Sequence, residues 1–414
     1  MSDFVRPFRA LRPAKAYAAD VVAPPYDVLT AEEARDSVRG RPYSFLHISK
    51  PEIDLPNGTN PYAPEVYARG AQNLQRFVRE GVLIRDESEC YYAYRLQMGD
   101  HIQTGIVCAA SVKAYDSNRI RKHEFTRPTK EDDRVNQISA QNAQTSPVLL
   151  SYRASSVVGE VLEAVVADDP TYDLVAHDQV GHTIWHIKKP ELMSRITDQF
   201  NKMDALYVAD GHHRSAAASR VAASLRTKES LLQDDASHMY FLAVAFPDKE
   251  MKILDYNRVV RDLNGITAQC LLEKVSERFI VTPRKNAVRP SSPKKYGLYC
   301  RSAWYQLEIK NNYIPDDDPI SQLDVSILHD NLIEPLLGVS DPRRDSRIDF
   351  VGGSRGVEEL MRCVDDGEMA IAFSLFPTSM EALMKVADAG KIMPPKSTWF
   401  EPKLADGLIS RVLD

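Results

Sequence analysis

The stretch Tyr207-Val208-Ala209-Asp210-Gly211-His212-His213-Arg214 constrains the fold more than any other in the chain. The apolar run at 205–209 has the length and composition of a buried strand, and the alanine-rich run at 215–225 that of a helix. Asp210 and Gly211 form the hinge between them. A strand that feeds a helix through a glycine turn leaves the first N–H groups of the helix unpaired and aimed outward, a natural anion site. His212, His213 and Arg214 occupy that first turn. Cations there oppose the helix dipole at a cost of a few tenths to ~1 kcal/mol, which a bound phosphate would offset. Taken one at a time, the same residues also suit a solvated helix start, a surface ion pair and an ordinary Asp N-cap. Adjacent histidines on a helix point ~100° apart, so the pair makes a poor metal site.

With 414 residues the chain can bury a large core and has room for two domains. No apolar run approaches the ~18 residues of a membrane span, and residues 1–13 lack a signal-peptide core. Five widely spaced cysteines without a CxxC pair read as reduced thiols, which predicts a cytoplasmic protein. A net charge of −6 argues against nucleic acid as a partner. Two basic clusters, at 119–123 and 341–344, read either as solvated faces or as phosphate contacts.

Prolines dominate the first 60 residues, and Ala23-Pro24-Pro25-Tyr26-Asp27-Val28 must be extended. Thr30 and Glu33 form a capping-box pattern, which leaves Glu32 available for chemistry. Residues 64–80 read as an amphipathic helix with Val66, Leu74 and Phe77-Val78 inward, ended by Gly81. Segments 91–98 and 104–115 read as a hairpin around Gly99-Asp100, and 147–152, 182–187 and 239–246 as further strands. Helices are expected at 157–166, 190–201, 268–279, 323–333 and 357–364, with strands at 295–300, 304–309, 348–351 and 369–375. Hairpins mixed with helices indicate an α+β fold with mixed sheets, not regular βαβ winding. The boundary is expected after residue 255, giving parts 1–255 and 256–414.

Two other stretches carry chemistry. His123-Glu124-Phe125-Thr126-Arg127-Pro128-Thr129-Lys130-Glu131-Asp132-Asp133-Arg134 reads either as a charged loop or as a carboxylate, hydroxyl and guanidinium set holding a polar substrate, or Mg²⁺ with its phosphate. Glu124 and Arg127 are the candidates within it. Met393-Pro394-Pro395-Lys396-Ser397-Thr398-Trp399-Phe400-Glu401-Pro402-Lys403 reads as a proline-shaped arm outside helix and ladder, with Trp399 and Phe400 packed and Lys396 and Lys403 reaching phosphate, or simply as an arm wrapped on the core. No GxxxxGK[ST], GxGxxG or GxSxG motif is present. The pentapeptide Gly352-Gly353-Ser354-Arg355-Gly356 is a weak anion-cradle signal.

PPYDVLTAEEA, KHEFTRPTKEDDR, ADGHHR and MPPKSTWFEPK, in this order over nearly the whole chain, resemble a family catalogued as domain of unknown function 1015, sometimes labelled SpoOJ/ParB-like. The DGHHR element also resembles that of free-serine kinases of the ParB/sulfiredoxin superfamily. That resemblance implies a ParB/sulfiredoxin-like core and a kinase making O-phosphoserine from free serine, with Mg²⁺ and ATP, ADP or pyrophosphate as donor. It carries Asp210, His212, His213 and Arg214 to the phosphate site; Asp210 and His213 are expected to be catalytic there, with Glu32 or Glu124 as general base. His123, Arg127, His212, Arg214, Lys396, Ser397 and Lys403 fall to substrate and phosphate. The competing expectation is a ParB-like regulator that binds nucleotide or DNA without small-molecule chemistry; a hydrolase is a third. The oligomeric state stays open.

Overall fold

The computed structural model describes residues 3–226 and 236–414. The chain divides into two compact units, Met1–Met251 with Pro402–Asp414, and Lys252–Glu401. The fold is α+β with mixed sheets, as expected from the interleaved hairpins and helices.

Strands of the first unit are β1 (Val5–Arg6), β2 (Leu11–Pro13), β3 (Leu83–Arg85), β4 (Tyr91–Met98), β5 (His101–Ser111), β6 (Ile120–Arg121), β7 (Ala143–Gln144), β8 (Val148–Tyr152), β9 (Tyr172–Val175), β10 (Gly181–Ile187), β11 (Leu206–Asp210) and β12 (Tyr240–Pro247). Among the described residues, nine form one sheet in the order β6-β11-β8-β12-β5-β4-β10-β9, with β1 added on β5. The β6/β11 and β8/β12 pairs are parallel and the others antiparallel. The expected hairpin is present, closed by Gly99 at φ 58 between Met98 and His101. Its strands carry large side chains into the core: Tyr91, Tyr92 and Tyr94 are all fully buried. Gly105 of β5 is a close-approach position, since a Cβ there would lie 2.6 Å from the Ala245 carbonyl oxygen.

Helix Pro64–Arg79 packs Leu74 and Phe77 against Phe45, Ile48 and Val82. Complete burial of Phe77 contributes about 1.5–3 kcal/mol. Val78, expected inward, is 46% exposed, because it sits a further ~100° round the helix from Phe77. The charged stretch at 123–134 is only half a loop. Pro128, which needs no N–H partner in a first turn, opens helix Pro128–Gln141. That helix packs on helix His212–Arg226 through Ile138, Ala217 and Val221, joined by Leu413.

The second unit holds β13 (Lys252–Leu254), β14 (Tyr256–Val260), β15 (Phe279–Arg284), β16 (Lys295–Cys300), β17 (Ala303–Ile309), β18 (Ile348–Gly352), β19 (Ile371–Leu375) and β20 (Trp399–Glu401). Its main sheet is antiparallel, in the order β15-β17-β16-β19-β14-β18. The helix expected at 323–333 starts as Asp324–Leu328, passes through a π turn at His329–Ile333 and ends as Glu334–Leu337. Pro335, with no N–H to donate, lies just past the widened turn. The 393–403 arm is not wholly outside the ladders, because β20 pairs with β13. Pro402–Asp414 belongs to the first unit, where β21 (Arg411–Val412) pairs with β7.

Gly105→Ala is expected to lower the unfolding free energy by ~1–3 kcal/mol, since the added methyl presses on backbone. Urea unfolding should show a lower midpoint at unchanged slope; an unshifted midpoint would contradict the close approach.

Candidate functional site

The strand and helix expected around Gly211 both form. Pairing of β11 with β8 slips between Val208 and Asp210, a bulge that sets Asp210 at the strand end. Gly211 follows at φ 94, a region closed to most side chains, and a Cβ there would lie 3.0 Å from Arg214 Nε. The guanidinium folds back over the glycine. Arg214 Nη2 donates to Asp210 Oδ2 at 2.7 Å, and Nη1 donates to the Pro147 carbonyl. Lys403 Nζ stands 3.8 Å from Asp210 Oδ1. Burial works to raise the Asp210 carboxyl, but Lys403 and Arg214 together hold it well below the usual carboxylate range. Burial likewise opposes the Arg214 charge, and Asp210 and Asp27 more than restore it.

The histidines divide differently from the sequence expectation. His212 Nε2 accepts from the backbone N–H of His123 at 3.5 Å, and His213 Nε2 accepts from that of Arg127 at 3.0 Å. An N–H can only donate, so each Nε2 is unprotonated and each neutral ring carries its proton on Nδ1. The pair therefore clamps the 123–127 segment onto the helix start. Burial is the main reason all three imidazoles sit below the usual histidine range, His123 at about 4, with His123 adding to the effect on His212. The rings of His123 and His212 meet edge to face with centroids 4.5 Å apart. Uncharged imidazoles do not oppose the helix dipole, so the positive end of the helix is preserved.

The proline-rich N-terminal motif reaches the same place. Ala23 and Asp406 form a reciprocal backbone bridge, and the Tyr26 N–H donates to Asp406 Oδ2 at 3.2 Å. The Arg134 guanidinium lies 3.8 Å over the Tyr26 ring and bonds Asp133. Burial pushes Tyr26 up to about 12 and Asp406 up to about 7. Asp27 is exposed, and its charge helps raise Arg134 and Arg214.

Of the residues singled out from sequence, Asp210, Arg214, Lys403, His212, His213, His123, Glu124 and Arg127 form one constellation. Glu124 Oε2 is 3.9 Å from His212 Nδ1. Arg127 enters through its backbone, and its side chain is exposed. Arg214 is 8% exposed, and its two terminal nitrogens bond the Pro147 carbonyl and Asp210, so it positions the Asp210 carboxylate. Glu32 is exposed beside a formed Thr30–Glu33 capping box, and no hydrogen bond or ion pair among the described residues ties it to Asp210. Lys396 and Ser397 lie in the second unit, Lys396 at φ 55 with Nζ 5.5 Å from the Tyr256 ring centroid and Ser397 donating to the Pro394 carbonyl at 2.7 Å. Sequence reasoning passed over Tyr26, Asp27, Arg134 and Asp406. Tyr26-Asp27 stood inside PPYDVLTAEEA, where the capping pattern drew notice to the glutamates instead.

Mg²⁺ binds through one or two carboxylates plus phosphate oxygens. Both Asp210 oxygens face cations, whereas Asp27, within electrostatic reach of Arg214 and His213, and Glu124, beside His212, are exposed carboxylates of the kind Mg²⁺ takes. His123, Glu124 and His212 also offer ligand atoms within 4.8 Å of one another, a nitrogen-rich set better matched to a softer metal than to Mg²⁺.

An α+β chain whose mixed sheet ends in an ion-paired strand–glycine–helix turn is thereby defined. The chain belongs to the family described as protein of unknown function DUF1015, whose model matches residues 5–326. No curated protein matches it. Similar solved structures include a conserved hypothetical protein from Pyrococcus furiosus, 13% identical over 74% of this chain and 95% of that one at a TM-score of 0.35. C-terminally truncated SbnI from Staphylococcus aureus is 11% identical over 74% and 87% at 0.41. A free serine kinase in complex with AMP is 12% identical over 73% and 92% at 0.33.

Two expectations follow. Arg214→Ala strips a buried counter-charge from Asp210 and should destabilise the fold by ~3 kcal/mol, at the low end for a buried pair because the Asp210 side chain is 34% exposed. Chemical denaturation measures this, and a change near zero would contradict the assignment. His123 and His182 both lie near 4 in the folded state against 6.5 unfolded, so the unfolded chain takes up more protons between those values. Stability from these groups is full above pH ~6.5 and declines as pH falls toward 4. His212 and His213, also lowered by burial, act in the same sense, whereas Asp406, raised to about 7, and Asp324, raised to about 6, act in the opposite sense and flatten the slope. Denaturant midpoints across pH 4–7 should therefore rise with pH up to 6.5, and rise more steeply in Asp406→Asn.

Proposed function

We propose that the chain is a small-molecule phosphotransferase that moves a phosphoryl group from a nucleotide or pyrophosphate to a hydroxyl such as that of free serine, on a ParB/sulfiredoxin-like core. The observation that carries this reading is the convergence of Lys403, the Gly211 helix start and the exposed carboxylates Asp27 and Glu124 around one ion-paired turn. Its support from sequence is the resemblance of DGHHR to the free-serine kinases. Phosphoryl transfer needs positioning and charge stabilisation above all. The first N–H groups of the helix and the Lys403 ammonium supply donors for phosphate oxygens. The Nδ1–H groups of His212 and His213 are neutral donors fixed in direction by the backbone partners of Nε2. Bound Mg²⁺, held by one of Asp27 and Glu124, would neutralise charge on the donor phosphates. One of these carboxylates takes the hydroxyl proton as general base.

A phosphorus NMR screen of the purified chain with Mg²⁺, serine and each of ATP, ADP and pyrophosphate tests the reading. Phosphoserine should appear with at least one donor, and intact donors in every arm would end it. Asp27→Asn and Glu124→Gln should separate the base from the metal ligand, with loss of the base lowering turnover ~10²–10⁴-fold. If both variants turn over within a few-fold of the parent, neither carboxylate has the assigned role. Lys403→Met should raise the Michaelis constant for the donor more than it lowers turnover.

A further inference from the structure

The first unit contains a cavity of about 300 Å³ lined by Arg6, Arg9, Arg85, Glu89, Arg411 and Asp414, with none of the residues of the DGHHR constellation. Arginines outnumber carboxylates there by two. Arg411 is 3% exposed, and its guanidinium donates to the Tyr240 carbonyl at 2.9 Å and the Ser237 carbonyl at 2.6 Å. Carbonyls fix its direction but bring no formal charge, so a buried cation stands here without a full counter-charge. Burial and then the neighbouring Arg6 depress it to about 9. The Arg6 guanidinium is stacked 3.9 Å over the Tyr240 ring, which keeps a second cation in place beside the first. On another wall, Arg85 grips the Asp414 carboxylate with both terminal nitrogens, and Arg9 lies 3.8 Å from the same group. The Arg85 Nε–H is buried with no partner among the described residues.

We propose that this arginine-lined cavity is a second ligand site, for a small oxyanion carrying at least two negative charges, such as a phosphate monoester. The Asp414 carboxylate marks where two oxygens of such a group fit the Arg85 fork, and it competes with the ligand for Arg85 and Arg9. Its side chain is 45% exposed, so it can be displaced at little cost. The proposal does not depend on the reaction assigned to Asp27 and Glu124.

Calorimetric titration of the full chain with inorganic phosphate tests it. The parent should show a saturable binding event that Arg6→Gln and Arg9→Gln each weaken ~10-fold, as expected for losing a charge-assisted contact. Asp414→Asn should tighten the same event several-fold. Thermal melts of the variants confirm that they are folded, and Arg9, at the exposed rim, is the substitution least able to disturb the core. Absence of any phosphate-binding event sensitive to Arg6 or Arg9 would overturn the site, as would weaker binding by Asp414→Asn.

Discussion

The ion pair between Asp210 and Arg214 across Gly211 is the constraint on which the rest of the site depends. Two opposite charges four residues apart, one at a strand end and one in the first helical turn, fold the guanidinium back over the glycine. No side chain fits at Gly211 without displacing it. The same guanidinium bonds the Pro147 carbonyl just before β8, while the free face of the carboxylate meets Lys403. Three segments distant in sequence thus share one electrostatic centre. Desolvation of such a pair is costly, and the multiple hydrogen bonds are what make it tolerable.

Around that centre the protein keeps its imidazoles uncharged. Burial disfavours the protonated rings, and backbone donors at 123 and 127 fix which nitrogen holds the proton. Positive charge is therefore confined to groups that cannot lose it near neutral pH, together with the partial charge of the helix end. Negative charge is graded: Asp210 is locked as a carboxylate, Asp406 is shielded, and Asp27 and Glu124 meet solvent. Groups of fixed charge thus lie inside, and the solvent-facing carboxylates lie outside.

Local pattern made much of this visible in the sequence. Alternation and turn residues located β4, β5, β8 and β10, and the apolar run before Asp210 located β11, because each of these is a self-contained statement about backbone and burial. The DGHHR turn was legible for the same reason. Short pairings were not: β6 has two residues, and only its parallel partner β11 makes it a strand. Nor could pattern reveal that Arg214 faces inward, since a guanidinium reads alike whether it meets solvent or Asp210. His212 was weighed against its neighbour His213, yet its ring partner is His123, 89 positions away. Asp406 carried no motif at all, and its role follows only from the bridge to Ala23.

The discontinuity of the first unit has a consequence for how the molecule is made. Ribosomes deliver Ala23-Pro24-Pro25-Tyr26 early, but the backbone that bridges Ala23 and the carboxylate that receives the Tyr26 N–H emerge about 380 residues later, after all of Lys252–Glu401. A nascent chain can thus build most of the large sheet while the contact between Tyr26 and Asp406 stays unassembled. Completion of that corner therefore waits until the whole second unit has been made.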